Sequence, residues 1–118
     1  MDSVVPADIL GIQVTQRGPQ SRIVTVTGEL DALTAPALAT VLTETLAAAQ
    51  VVVVDLDGVQ YLTSAGLRVL IEAHQLAAQH GSKLRLVCHC PGVNLVFDGS
   101  GLRDHFTFAD SVALAVGQ

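Results

Sequence analysis

Apolar and polar positions along the chain follow two periods, one of two residues and one of about 3.6 residues. Residues 9–15 alternate, with aliphatic side chains on one side, and this predicts a first strand. A turn-forming stretch at residues 17–21 separates it from a β-branched run at residues 23–27. The two strands are therefore expected to form a hairpin.

Two longer segments carry the helical period. The first begins near Thr34, whose hydroxyl can cap a helix, and has Pro36 in its first turn. Its apolar stripe has members three and four residues apart, namely Leu38, Val41, Leu42, Thr45 and Leu46. The second helix is expected over residues 64–80, with Gly81 ending it. Its predicted apolar face consists of Leu67, Leu70, Ile71, His74 and Ala78.

The remaining segments complete an alternation of strands and helices. A continuous apolar run at residues 51–55 favours a strand covered on both faces, which is typical of a parallel interior strand. Residues 58–62 are interpreted as a connection. Further predicted elements are a strand at 83–88, a short helix at 91–97, a turn at 98–101, a short strand at 106–108 and a closing helix from its cap Asp110 to residue 116. The fold class is therefore α/β, a sheet with parallel interior strands and covering helices.

The length of 118 residues is that of one domain with one core. We expect residues 1–8 to be a flexible lead-in and residues 9–118 to form the domain. Apolar runs fall short of the roughly 20 residues of a membrane-spanning helix, and the N-terminus lacks a secretory signal, so the predicted location is the cytoplasm. The chain has six basic residues, scattered along the sequence, and eleven acidic residues. This composition argues against direct nucleic-acid binding and favours a protein partner.

Enzyme signatures are missing from the sequence, which has neither a phosphate-binding glycine loop nor a nucleophile elbow. No cofactor is therefore expected. His74, on the apolar face of the second helix, is interpreted as a satisfied core or rim histidine. The acid pairs Asp55/Asp57 and Glu29/Asp31 are more typical of caps and turns than of an acid–base site.

A Cys-His-Cys sequence, residues 88–90, lies at the end of a predicted strand. Its spacing is unlike that of a tetrahedral zinc site. Cys88 is expected to pack as a small hydrophobe. The alternative hypothesis is a redox-sensitive or metal-binding group that includes His89.

Ser64 stands at the junction between the covered strand and the second helix. One interpretation is an ordinary N-cap. The other is a phosphorylation site, because a phosphate there would meet free amides and the positive end of the helix dipole. It would also add up to about two negative charges to an exposed corner. Gly66 would permit the close approach of another backbone.

Three blocks of the sequence resemble the STAS domains of bacterial anti-sigma-factor antagonists. They are Gly-Glu-Leu-Asp at residues 28–31, the stretch at 55–67 that contains Thr63-Ser64-Ala65-Gly66, and the stretch at 95–102. The resemblance implies a mixed sheet of four or five strands with about four covering helices. It also implies an unphosphorylated antagonist that binds an anti-sigma factor, usually a serine kinase, and frees a sigma factor.

In this family the kinase phosphorylates a serine to end the complex, and a phosphatase reverses the reaction. Ser64 aligns with that serine, and Asp31 aligns with the acid of a loop near the same surface. The partner-binding residues implied are therefore Asp31, Thr63, Ser64, Ala65, Gly66 and Arg68. Thr63 stands where the family usually has Asp, and Ala65 where it often has a second Ser or Thr, so Thr63 is the alternative acceptor.

Two other functions stay open. A STAS subunit of a lipid-transport ABC system would bind a transporter ATPase. A weak nucleotide-binding protein would hold Mg²⁺ through Asp31, Asp55 and Asp57, although no phosphate cradle accompanies these acids.

Overall fold

The computed structural model describes residues 10–117, and the lead-in expected at residues 1–8 lies outside the described residues. The strands are β1 (Leu10–Arg17), β2 (Ser21–Leu30), β3 (Val51–Leu62), β4 (Lys83–Val87) and β5 (Thr107–Phe108). The helices are α1 (Ala35–Ala48), α2 (Ser64–His80), α3 (Pro91–Ser100) and α4 (Val112–Gly117), with a 3₁₀ turn at Arg103–His105. This order of strands and helices confirms the sequence prediction.

The five strands lie in one sheet in the order β1-β2-β3-β4-β5. β1 and β2 form the predicted antiparallel hairpin, and the other neighbouring strands run parallel. The fold is therefore the expected mixed sheet with parallel interior strands.

The side chains of Val52, Val53 and Val54 are all fully buried, although they alternate between the two faces of the sheet. An apolar run of this kind suits a central strand such as β3. Val52 and Val54 face the main core, which α1, α2 and α3 cover. Val53 faces a smaller cluster with Ile23, Val87 and Ala115, which α4 covers. The helices therefore cover both faces of the interior strands, as the unbroken apolar run predicts.

The interpretation of residues 58–62 as a connection is wrong, because β3 continues to Leu62. There Glu29 pairs with Tyr61 and Leu30 with Leu62, so β2 and β3 end side by side. The register between β2 and β3 shifts twice, between Thr25 and Thr27 and between Gly28 and Glu29, and the first shift absorbs the turn-like Asp57-Gly58 sequence. β2 and β3 consequently project beyond the end of β4, and their ends position the start of α2.

Three local predictions about the helices also differ from the structure. The buried face of α2 is rotated, with Gly66, Val69, Ala73 and Ala77 buried and Ala78 exposed, because α2 packs on α1 as well as on the sheet. The turn expected at residues 98–101 is the last turn of α3, since Gly101 adopts the left-handed conformation that ends a helix. Ser111, rather than Asp110, caps α4, because its Oγ accepts the amide of Leu114 at 3.1 Å.

Candidate functional site

The site is built where β2 and β3 end side by side. The backbone carbonyl of Leu30, the last residue of β2, accepts the amide of Thr63 at 3.0 Å. The Thr63 hydroxyl also donates to this carbonyl, at 3.4 Å. The start of α2 is thus anchored to the end of a strand more than thirty residues earlier in the chain.

Thr63, and not Ser64, occupies the N-cap position of α2. Its backbone is extended, with φ −100° and ψ 176°, and Ser64 is the first helical residue. The interpretation of Ser64 as an ordinary N-cap is therefore wrong. Ser64 is exposed, and its hydroxyl makes no hydrogen bond within the part of the chain that the structure describes, whereas Thr63 is half-buried.

Gly66 is buried in the first turn of α2. A Cβ at this position would lie 2.6 Å from Cγ of Leu30, 2.8 Å from Cδ1 of Leu62 and 3.0 Å from the carbonyl oxygen of Leu30. Gly66 therefore allows α2 to pack closely against the ends of β2 and β3 within the same chain.

Asp31 organises the loop between β2 and α1. Its Oδ1 accepts the amides of Leu33 at 3.0 Å and Thr34 at 3.1 Å, which makes Asp31 the turn-forming acid that the sequence favours. Thr34 precedes α1 as predicted, but the expectation that its hydroxyl caps the helix is wrong. That hydroxyl points back toward β2 and donates to the carbonyl of Glu29 at 2.8 Å.

Arg68 and Ala65 complete the predicted set on α2. The Arg68 side chain is 81% exposed, and its Nε lies 3.5 Å from Oε2 of Glu72. Because residues four apart are neighbours on a helix, Ser64, Arg68 and Glu72 form one exposed line. Ala65 is half-buried and packs against the core.

Two exposed apolar residues lie in the chain segments next to Leu30 and Thr63, and they were not predicted as site residues. Leu33 is 78% exposed in the loop that Asp31 organises, and Tyr61 is 56% exposed near the end of β3. Tyr61 lies beside Glu29 in the register of the two strands. A leucine inside a polar turn is the sequence signal that could have identified Leu33. Together with Ser64 these side chains give the ends of β2 and β3 a mixed apolar and acidic surface.

His89 clamps the segment between β4 and α3 to β3. Its backbone amide donates to Oδ1 of Asp57 at 2.7 Å, and its Nδ1 lies 2.9 Å from Oδ2. This carboxylate raises the pKa of His89 above its ordinary value, first by accepting a hydrogen bond and second by its charge. Cys88 and Cys90 pack partly buried against the main core, as expected for Cys88. Burial raises the pKa of the Cys88 thiol.

The acids proposed for Mg²⁺ do not meet. Asp31 bonds to its own loop and Asp57 to His89, while Oδ1 of Asp55 accepts the amide of Asp57 at 3.0 Å. Among residues 10–117, no three His, Cys, Asp or Glu side chains gather as metal ligands would. Among the described residues, Asp31, Asp55 and Asp57 therefore do not form the shared Mg²⁺ site of the nucleotide-binding hypothesis, and no three-ligand metal site includes His89.

His74 also differs from its prediction as a satisfied histidine. It packs edge-on against Phe106, with 5.9 Å between ring centroids. Its Nδ1 is buried and has no hydrogen-bond partner among the described residues. Separately, none of the helices that the structure describes is long and apolar enough to cross a membrane.

The family model of the STAS domain matches residues 12–115. An anti-sigma factor antagonist from Mycobacterium paratuberculosis superposes with a TM-score of 0.83 and 25% identity, over 93% of this chain and 93% of that one. No curated protein matches the sequence.

Two further solved structures show the same fold at lower identity. The anti-sigma factor antagonist SpoIIAA in its unphosphorylated form has a TM-score of 0.76 and 17% identity, over 90% of this chain and 93% of its own. The Bacillus cell fate determinant SpoIIAA in its phosphorylated form has a TM-score of 0.70 and 16% identity, over 91% and 97%.

Proposed function

Because this chain belongs to the STAS domain family, we propose that it is an anti-sigma-factor antagonist switched by phosphorylation of Ser64. In the unphosphorylated state it binds an anti-sigma factor of the serine-kinase type and so frees a sigma factor for RNA polymerase in the cytoplasm. The kinase modifies Ser64 to end the complex, and a phosphatase restores it. The protein acts by binding and not by catalysis.

The observation that carries this proposal is the contrast between the two neighbouring hydroxyls. Ser64 presents an exposed hydroxyl at the first position of α2, with no hydrogen-bond partner among residues 10–117. The Thr63 hydroxyl is directed to the carbonyl of Leu30. A kinase can therefore reach Ser64 without breaking a contact of the fold, and this favours Ser64 over Thr63 as the acceptor.

The start of α2 can accommodate a phosphate. The first helical hydrogen bond of α2 is donated by Leu67 to Thr63, so the amides of the preceding residues are available to an anion. No acidic residue lies in the first turn of α2. Arg68 is one turn along the same exposed line and could pair with the phosphate in place of Glu72.

The surroundings of Ser64 explain how a phosphate would end a complex. A partner that covers this corner would contact the exposed Leu33 and Tyr61. A phosphate dianion enclosed in such a contact would lose its hydration, which costs far more than enclosing a serine hydroxyl. The acidic Glu29 and Asp31 nearby add to the local negative charge.

Phosphorylation by the partner is the direct test. The purified chain is incubated with candidate anti-sigma kinases and ATP, and the modified residue is identified by mass spectrometry. Phosphate is expected on Ser64, to be lost in Ser64→Ala and to persist in the matched variant Thr63→Ala. Phosphate on Thr63 alone would overturn the assignment of the acceptor.

Binding gives the second part of the test. The unmodified chain is expected to form a complex with the kinase, measured by isothermal titration calorimetry, and Ser64→Asp is expected to weaken it. Gln60→Ala, an exposed neighbour, serves as the control and should bind like the unmodified chain. Binding to a transporter ATPase, with none to any anti-sigma factor, would instead support the transporter subunit.

A further inference from the structure

No strand among the described residues pairs with the outer edge of β1. β1 is the first strand in the sheet order, while β5, at the opposite edge, has only two residues. The pairing of β1 with β2 runs without a register shift from Leu10–Gly28 to Arg17–Ser21. The strand contains no proline, lysine or bulge, which are the features that commonly block pairing at an edge.

An apolar side chain lies exposed along this edge. Val14 is 47% exposed although its register partner on β2, Val24, is fully buried. Ile12, two residues away on the same face of the sheet, is half-buried against the main core. The core thus continues to the edge of β1, where none of the described residues covers it.

Two complementary charges lie near opposite ends of the β1–β2 hairpin. Arg17 is the last residue of β1, and Glu29 follows Gly28, the register partner of Leu10. Both side chains are exposed. Neither has an ion-pair partner within the described part of the chain.

We infer that two copies of this chain pair through β1, antiparallel, about a twofold axis at Gln13. This register keeps each face of the sheet continuous across the two copies. Ile12 of one copy then lies opposite Val14 of the second, so both exposed valines gain an apolar neighbour. Arg17 of each copy comes to the end of the hairpin where Glu29 of the second copy lies.

The geometry favours a second copy of this chain as the occupant. The antiparallel arrangement brings Arg17 of each copy toward the end of the hairpin where Glu29 on β2 of the other copy lies, and it opposes no like charges. Because β5 is too short to pair with β1, the contact closes as a dimer and does not grow into a filament. One strand pair buries less than the roughly 800 Å² per partner of a standard interface, so the dimer is expected to be weak.

Sedimentation equilibrium of the full chain, up to millimolar concentration, tests the pairing. A concentration-dependent dimer is expected, and Val14→Lys is expected to abolish it. Arg17→Glu and Glu29→Arg should each weaken dimerisation by about fivefold at low salt. The double variant that carries both substitutions should regain the dimerisation of the unmodified chain. A general loss of stability would not be reversed in this way. A monomer at every concentration, or a dimer that Val14→Lys leaves intact, would overturn the inference.

Disulfide trapping tests the register. Under mild oxidation Gln13→Cys should form a disulfide-linked dimer, because the two copies of residue 13 face each other across the axis. Gln16→Cys is the matched control, exposed on the same strand but distant from its symmetry mate. The unmodified chain controls for Cys88 and Cys90. Cross-linking of Gln16→Cys as efficient as that of Gln13→Cys would contradict the proposed axis.

Discussion

His74 has an environment unlike that of a typical buried histidine. Its ring lies edge-on to Phe106 and its Nδ1 is buried without a partner among residues 10–117. Since a buried polar atom without a hydrogen bond costs about 1–3 kcal/mol, hydrocarbon in its place should be favourable. His74→Leu is expected to raise the free energy of unfolding by about 1 kcal/mol, measured by urea denaturation.

An exposed histidine on the same helix provides the control. His80, the last residue of α2, is exposed, and His80→Leu should change the free energy of unfolding by less than about 0.5 kcal/mol. A clear loss of stability in His74→Leu would contradict the assignment of Nδ1 as an unpartnered atom.

The contact between α2 and the ends of β2 and β3 depends on Gly66. A methyl group there would overlap Leu30 and Leu62, and the nearby carbonyl oxygen of Leu30 cannot move independently of β2. Overpacking of this kind costs about 1–3 kcal/mol. Gly66→Ala is therefore expected to lower the free energy of unfolding by about that amount, measured by urea denaturation.

The matched substitution on another helix is Gly92→Ala. Gly92 lies in the first turn of α3, and a Cβ there would meet nothing within 4 Å. Since alanine has the higher helix propensity, Gly92→Ala should be neutral or stabilise the protein by up to about 1 kcal/mol. If both substitutions changed the free energy of unfolding equally, the effect of Gly66→Ala would come from helix propensity and not from the contact with β2 and β3.

The elements show what local sequence can and cannot predict. The bounds of α2 were predicted correctly, because the apolar period and Gly81 are signals within the helix itself. The second half of β3 was missed, because residues 58–62 become a strand only by pairing with β2, about thirty residues away. The candidate site divides in the same way. Ser64 could be located from the sequence, but its free hydroxyl depends on how the distant Leu30 carbonyl engages Thr63.

At the scale of the whole molecule, the Asp57–His89 pair joins the projecting part of β3 to the segment that leads into α3. The two residues are 32 positions apart, so global unfolding must break the contact. In the folded state Asp57 favours the charged imidazole and raises the pKa of His89 above the ordinary value of 6.5. The ion pair should therefore contribute fully to the free energy of unfolding below that pH, and its contribution should be lost as pH rises through the raised pKa.

A double-mutant cycle measures this dependence. Asp57→Asn keeps an oxygen that can accept the His89 amide but removes the charge, and His89→Gln removes the titrating ring. The coupling free energy between the two substitutions, from urea denaturation, is expected to be favourable near about pH 5.5, where His89 is protonated. It should fall toward zero at alkaline pH. Because both side chains are partly exposed, the coupling should also shrink with added salt. A coupling that grows as pH rises would contradict an ion pair with a protonated histidine. It would mean that the neutral ring is the form that the fold prefers.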